Sequence, residues 1–361
     1  MSTAPSSLRR SLGAAVALLL TTGLAACGSD SETSESDDSV SLPEAEGTTD
    51  YPLTIDTWLG QTTLDERPER VAVIGFSSNL DALEAIDVTP VYYGGRNADT
   101  MWPWNDQDYL DGIATTEVPE DDGFNFEAIA ASEPDLIVAT NSITSQADFD
   151  KLADIAPVVD VAEEESAGDK LDWREAQRQI GEVLDLSEAA DQAVSDADDR
   201  IAAVAEAHPE FAGKTATIAY DYGPEYGVSY YTVTGGPAEG VMLDLGFAPN
   251  PLAENFVDDD TVSDENQALL DADVLLTIYT DEASRQARED QPLFQALSAV
   301  SSGQYESLVF QEDSSTDQLM TSDGELVDNA VWVLRRGASS LALPWAAEEI
   351  ADGWLAGIDL S

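Results

Sequence analysis

Between residues 184 and 209 apolar side chains return at helical spacing: Ala190, Ala193, Val194, Ala197, Ile201, Val204 and Ala205. Asp191, Gln192, Asp196, Asp199, Arg200 and Glu206 fill the other face. Asp185 with Glu188 is a helix start signal, and Pro209 closes the far end. The spacing predicts one amphipathic helix of about 20 residues, roughly 30 Å long. An ordinary surface helix would give the same pattern. Strand-and-helix patterns of similar size lie on both sides of it, however, so the helix reads as a rigid strut joining two lobes around a cleft.

Ahead of the strut, residues 53–58 and 62–64 around Gly60 read as a hairpin. Compact apolar runs at 71–76, 90–93, 135–140 and 158–161 read as strands. Helices are expected at 77–86, 124–132 and 147–155, and a last one carries Trp173, Ala176, Ile180 and Leu184 on one face. Behind the strut, strands at 215–220, 228–233, 273–279 and 308–311 alternate with helices at 237–245, 264–270, 292–299 and 327–341. A closing helix runs through Trp345, Ile350 and Trp354. Such alternation predicts an α/β fold with mostly parallel sheets covered on both faces.

The amino terminus has a different character. Arg9 and Arg10 precede an apolar run at 12–20 that leads to Leu24-Ala25-Ala26-Cys27, the layout of a secretory signal. The run is too short to span a bilayer stably. Leu-Ala-Ala-Cys followed by Gly28 is similar to a bacterial lipobox, and Cys27 is the only cysteine of the chain. Lipidation of Cys27 is therefore expected, with residues 1–26 removed. The paired arginines fit a twin-arginine signal poorly, so general export is the expectation. Residues 27–50 are rich in Ser, Asp, Glu and Thr and cannot bury a core, so they should form a disordered tether. The expected order is thus signal 1–26, tether 27–50, first lobe 51–184, connecting helix 185–209 and second lobe 210–361.

The 361 residues suffice for two domains. With 72 acids against 15 bases the formal charge is −57, which repels nucleic acid and anionic lipid. Neither is expected as a partner, and membrane contact should run through the lipid anchor alone. The acids are spread over the whole chain, which points to adaptation to salty surroundings. A single cysteine forbids an internal disulfide. The single histidine, His208, argues against Ser-His-Asp and Cys-His catalysis and against His-rich zinc sites.

Candidate chemistry gathers in two places. After the second strand of the first lobe comes Gly94-Gly95-Arg96-Asn97, then Met101-Trp102-Pro103-Trp104. Loops at carboxyl ends of parallel strands are where such sheets bind ligands. Arg96 can fork onto an oxygen-rich ligand between aromatic walls of Trp102 and Trp104. Equally, the tryptophans could pack the lobe while Arg96 pairs with an acid. In the second lobe, Tyr222 and Tyr226 flank Gly223-Pro224 and Tyr279 ends a strand, which makes them cleft candidates. Arg335 and Arg336 fall late in a predicted helix, where they would complement its dipole. Glu127 opens a short helix ahead of Asp135-Leu136-Ile137-Val138, and Glu265 stands at the same offset ahead of Asp273-Val274-Leu275-Leu276. Two lobes built alike would put these glutamates at equivalent points, although dipole preference alone also favours such positions. Gly213-Lys214-Thr215 lacks the first glycine of a phosphate loop, and the acids from Asp258 onward lack the glycine and final glutamate of a calcium loop. No resident metal or cofactor is expected.

Three segments carry a family resemblance: Pro68-Glu69-Arg70-Val71-Ala72, Asn125-Phe126-Glu127-Ala128-Ile129 and Pro134-Asp135-Leu136-Ile137-Val138. From Tyr51 to near its end the chain resembles the lipid-anchored substrate-binding proteins of ABC importers for ferric siderophores, haem and cobalamin. It departs from them at Ile86-Asp87-Val88, where Leu-Gly-Val is usual. The resemblance implies two Rossmann-like lobes joined by one long α-helix, outside the cytoplasm. It implies that one glutamate per lobe, Glu127 and less closely Glu265, docks onto arginines of the permease, which works with its ATPase subunits. The expected protein is a monomer that captures a ferric siderophore and delivers it without chemistry, the siderophore itself holding the iron. Trp102, Trp104, Tyr222, Tyr226 and Tyr279 would supply apolar wall, and Arg96 charge-assisted hydrogen bonds. Haem or cobalamin is the alternative cargo. A carboxylate-dependent extracellular hydrolase and a structural or adhesive surface protein are the rival classes.

Overall fold

The computed structural model describes residues 42–119, 123–164, 168–311, 318–328 and 331–360. The expected signal peptide, Cys27 and most of the expected tether lie outside the described residues.

The first lobe opens with the hairpin of β1 (Leu53–Thr57) and β2 (Gly60–Leu64), paired antiparallel. Then follow β3 (Val71–Ile74), α1 (Ser77–Glu84), β4 (Tyr92–Gly94), α2 (Gln107–Asp111), β5 (Thr116–Glu117) and α3 (Phe126–Ala131). β6 (Leu136–Val138), α4 (Gln146–Ala153) and β7 (Val158–Val159) complete it. The order β5-β4-β3-β6-β7 makes an all-parallel sheet. Val71 and Val73 face one apolar layer, Ala72 and Ile74 the other. That is strand alternation with both faces covered, which is why these strands read as unbroken apolar runs.

α5 (Trp173–Val183) leads into α6 (Ser187–Ala207), the long helix expected from the sequence. Its apolar stripe divides between the lobes. Ala190 belongs to the core of the first lobe, whereas Val194, Ala197, Ile201 and Val204 belong to that of the second. The cap differs from the expectation. Asp185 does not cap α6; the carboxylate of Glu46 accepts from the Glu188 and Ala189 amides at 2.6 and 2.9 Å. Asp185 instead accepts from the amides of Gly47, Thr48 and Thr49 at 3.0, 2.7 and 3.0 Å. Thus residues 42–50, expected in the disordered tether, are bound to the body. Two carboxylates supply acceptors that free amides and a helix start would otherwise seek in water.

The second lobe contains β8 (Ala216–Asp221), β9 (Val228–Tyr230), α7 (Pro237–Asp244), β10 (Thr261–Val262), β11 (Val274–Tyr279) and α8 (Glu282–Glu289). α9 (Pro292–Gln295), α10 (Ser298–Ser302), β12 (Tyr305–Phe310), β13 (Gln318–Met320), β14 (Leu326–Asp328) and α11 (Ala342–Glu348) follow. The sheet order is β10-β9-β8-β11-β12-β13-β14. β8, β11 and β12 form a parallel centre, and the flanking pairs are antiparallel.

Several elements depart from the sequence expectation. The helix expected at 327–341 does not form: β14, a 3-10 turn (Val331–Leu334) and an irregular run up to Leu341 take its place. Gly337 lies so close to the Trp332 indole that a Cβ there would come within 2.1 Å, and Ser339 and Ser340 spend their hydroxyls on other elements. A glycine and two serines also lower helix propensity. Arg335 and Arg336 therefore complement no helix dipole. The element at 264–270 is a 3-10 helix, and 292–299 breaks after Gln295. α8 carries no apolar stripe, so periodicity missed it; Asp281 caps it by accepting from the Ser284 amide at 2.7 Å. Among the described residues no helix is long and apolar enough to cross a membrane.

Candidate functional site

Three loops at the carboxyl ends of β3, β4 and β6 converge. Gly75 takes φ +90°, and a Cβ there would meet the Ser142 hydroxyl at 2.0 Å, so only glycine fits. The amide of buried Asn79 reaches the Ile74 and Thr140 carbonyls, both at 3.1 Å, and fixes the loops after β3 and β6. Between these loops lies a cavity of about 360 Å³. Phe76 and Phe124 give it apolar wall, Arg96, Asn97 and Ser142 give polar atoms, and Trp332 reaches it from the second lobe. Arg96 therefore lies on the wall, at the strand-end position where such sheets bind ligands.

The tryptophans expected as wall are instead mostly interior. Trp102 is 6 % exposed; it stacks on Trp104 with ring centroids 5.5 Å apart and packs on Trp332 at 5.1 Å. Trp104 packs on Trp345 at 5.2 Å, and its Nε1 donates to Asp81 at 3.1 Å. Trp102 and Trp104 thus back the cavity, and Trp332 is the indole that lines it. Sequence reasoning missed Trp332 because it placed that residue in a helix. The near run of Gly337, Ser339 and Ser340 was the available signal against one.

The carboxyl ends of β11 and β12 frame a second hollow of about 510 Å³, lined in part by Glu282, Arg285, Phe310 and Thr321. A belt of rings joins the two hollows. Phe310 meets Tyr220 at 5.9 Å, Tyr220 meets Tyr231 at 5.6 Å, and the Arg335 guanidinium lies 4.0 Å over Tyr231. Arg336 lies 5.7 Å from Phe76 on the wall of the first cavity. Tyr222 belongs to this belt, stacked on Tyr220 at 3.9 Å with its hydroxyl 2.6 Å from that of Tyr231. Tyr226 is 75 % exposed and lines neither hollow. Tyr279 is 0 % exposed and cannot be wall: its hydroxyl turns inward to Tyr305 at 2.9 Å.

The lobes are tied beside the cavity. Asp81 on α1 accepts from Ser339 at 2.7 Å, from Asn105 at 3.0 Å and from Trp104. Ser78 donates to the Arg336 carbonyl at 3.0 Å, and Arg335 and Arg336 both pair with Asp169 at 3.1 Å. Burial pushes the Asp81 carboxyl up to about 7 against the pull of those donors.

Glu127 lies in the first turn of α3 and Glu265 in the 3-10 helix before β11, both exposed. Their surroundings repeat. Asp135 accepts from the Glu69 and Arg70 amides ahead of β3, both at 2.8 Å. Asp273 accepts from the Thr215 amide ahead of β8, also at 2.8 Å. Each aspartate staples its strand to the parallel neighbour, at the amino end of the sheet. Among the described residues no cluster of His, Cys, Asp or Glu could hold a metal ion. His208 is engaged elsewhere, with Glu210 and Asp352.

A search of curated proteins finds no match. Among solved structures, a periplasmic solute binding protein from Mycobacterium smegmatis is 25% identical, with TM-score 0.64, over 86% of this chain and 99% of that one. PiaA of Streptococcus pneumoniae, solved in complex with ferrichrome, is 25% identical with TM-score 0.67, over 84% of this chain and 98% of that one. Staphylococcus aureus SirA, complexed with staphyloferrin B, shares the fold at 18% identity and TM-score 0.63, over 86% and 100% of the chains. The sequence profile of the periplasmic binding protein family matches residues 73–308. With that match running from β3 through the long helix α6 to β12, the chain belongs to the periplasmic binding protein family.

Proposed function

We propose that this protein is the substrate-binding component of an ABC importer, that it captures a ferric siderophore between its lobes, and that it releases it to the permease unchanged. The observation that carries this reading is the cavity at the strand ends, walled by Arg96 and Phe76 of one lobe and covered by Trp332 of the other. Such a hollow has the aromatic wall and few convergent polar groups of a small-molecule site. The likeness to PiaA, solved with ferrichrome, supports the cargo class. The iron stays within its chelator, and the protein contributes shape and hydrogen bonds. The protein acts as a monomer outside the cytoplasm, anchored through lipidated Cys27. Glu127 and Glu265, exposed at equivalent points of the two lobes, dock onto permease arginines.

The test is a titration of the purified protein with a panel of ferric chelates, followed by tryptophan emission. Saturable quenching by at least one chelate is expected, weakened about tenfold in Trp332→Ala, a loss of ~1.4 kcal/mol. Haem added to the same protein should give no Soret shift. A Soret shift with no response to any ferric chelate would replace the siderophore by haem, and turnover of the bound compound would replace transport by catalysis.

A further inference from the structure

Four arginines around the cleft are held by acids. Arg285, on the wall of the second-lobe hollow, is bracketed by Glu282 at 2.5 Å and Glu289 at 3.1 Å. Arg335 pairs with Asp169 and Asp260, and Arg336 with Asp169. Arg288 is buried between Asp221 and Asp264, each at 2.8 Å. Among the described residues Arg96 is the charged side chain on the first-cavity wall, and the wall beside it is neutral, with Phe76, Asn97, Phe124, Ser142 and Trp332. All of this lies in a chain with a formal charge of −57.

Ferric chelates differ in charge by simple bookkeeping of protons. Three hydroxamates, each losing one proton, cancel the charge of iron(III). Three catecholates, each losing two, leave a trianion, and hydroxycarboxylate chelates are also anionic. Moving a multiply charged anion out of water is costly unless counter-charges meet it. A negative protein also repels it at long range. A neutral chelate meets neither obstacle. Its peripheral oxygens can accept from Arg96, Asn97 and Ser142, and its apolar edges can lie on the rings.

Building on the siderophore reading above, we infer that the cargo is a neutral ferric hydroxamate chelate, selected against catecholate and hydroxycarboxylate chelates by the scarcity of unmatched positive charge in the cleft. The test uses the purified chain with ferrichrome as neutral trihydroxamate, ferric enterobactin as trianionic tricatecholate, and ferric citrate, each followed by quenching at low and high salt. Ferrichrome is expected to bind at least tenfold tighter than either anion, with a Kd that salt leaves unchanged. Equal or tighter binding of either anion overturns this inference and leaves the siderophore reading standing. Failure of all three to bind overturns both. Asn97→Arg, which adds a cation to the wall, is expected to raise the ratio of tricatecholate to ferrichrome affinity several-fold; an unchanged ratio overturns the charge argument.

Discussion

The Ser339 hydroxyl of the second lobe donates to the Asp81 carboxylate of the first at 2.7 Å. Asp81 is fully buried, and burial is the dominant cause that raises its carboxyl from 3.8 to about 7. Glu84, on the same helix, is also raised by burial. Tyr93 and Tyr109 face the pair with their hydroxyls pushed well above the ordinary tyrosine range, so they stay neutral. A carboxyl whose folded value is raised contributes stability that is complete below the unfolded value near 3.8 and is lost as pH rises toward about 7. Asp81→Asn should flatten that slope, and the difference across the window should be on the order of a few kcal/mol. Urea midpoints of the two proteins at several pH values measure it; parallel curves would disprove the assignment.

Arg288 and Asp221 form a buried ion pair at 2.8 Å, with side chains 8 % and 3 % exposed. Removing one partner strands the other. Arg288→Met is expected to cost ~3–5 kcal/mol, and the double variant with Asp221→Asn should recover part of that loss. Equilibrium unfolding in urea reads both.

Asp185 accepts from the amides of Gly47, Thr48 and Thr49. In Asp185→Ala these amides should exchange with solvent deuterium much faster, while those of β3 keep their protection. Unchanged exchange at residues 47–49 would mean that Glu46 and the neighbouring contacts hold the segment alone.

Glu127 and Glu265 are exposed, and among the described residues no side-chain hydrogen bond or ion pair engages either carboxylate. Replacing both by alanine should leave chelate affinity and thermal stability unchanged while uptake in cells falls at least about tenfold, the loss of ~1.4 kcal/mol of docking energy. Full uptake by the double variant would remove both from the docking face.

The charge of −57 should make the fold salt-dependent. At about 1 M salt the Debye length shrinks to ~3 Å, and self-repulsion between surface acids is largely screened. A Tm that rises from low to molar salt is the expected result in a calorimeter, and a flat Tm would show that the acids are not adaptive.

The parts of this fold legible in the sequence were those with a single strong period. β3, β6, β8 and β11 are buried on both faces and read as apolar runs, and α6 shows its stripe over its full length. Arg96 was legible because glycines after a strand mark a loop at the binding end of a parallel sheet. Tyr279 misled because a strand end gives no sign of which way the last side chain turns; here it turns to Tyr305. Trp332 and Arg285 were missed for a related reason. Neither the irregular segment 331–341 nor the polar helix α8 has a period, and both owe their place to contacts with distant residues, Asp81 for the one and Asp221 for the other.

Trp332 belongs to the far end of the chain, whereas the basin it roofs is made of residues 75–142. The residues that follow it, among them Leu334, Leu343, Ala347, Ile350 and Trp354, share one core with Val194, Ala197 and Ile201 of the strut, so a polypeptide cut short just ahead of Trp332 would lose the roof and part of the strut's packing together. Reporter fusions, purification handles or truncations at the carboxyl terminus thus bear directly on retention of cargo, through Trp345 and α11 packed behind that roof.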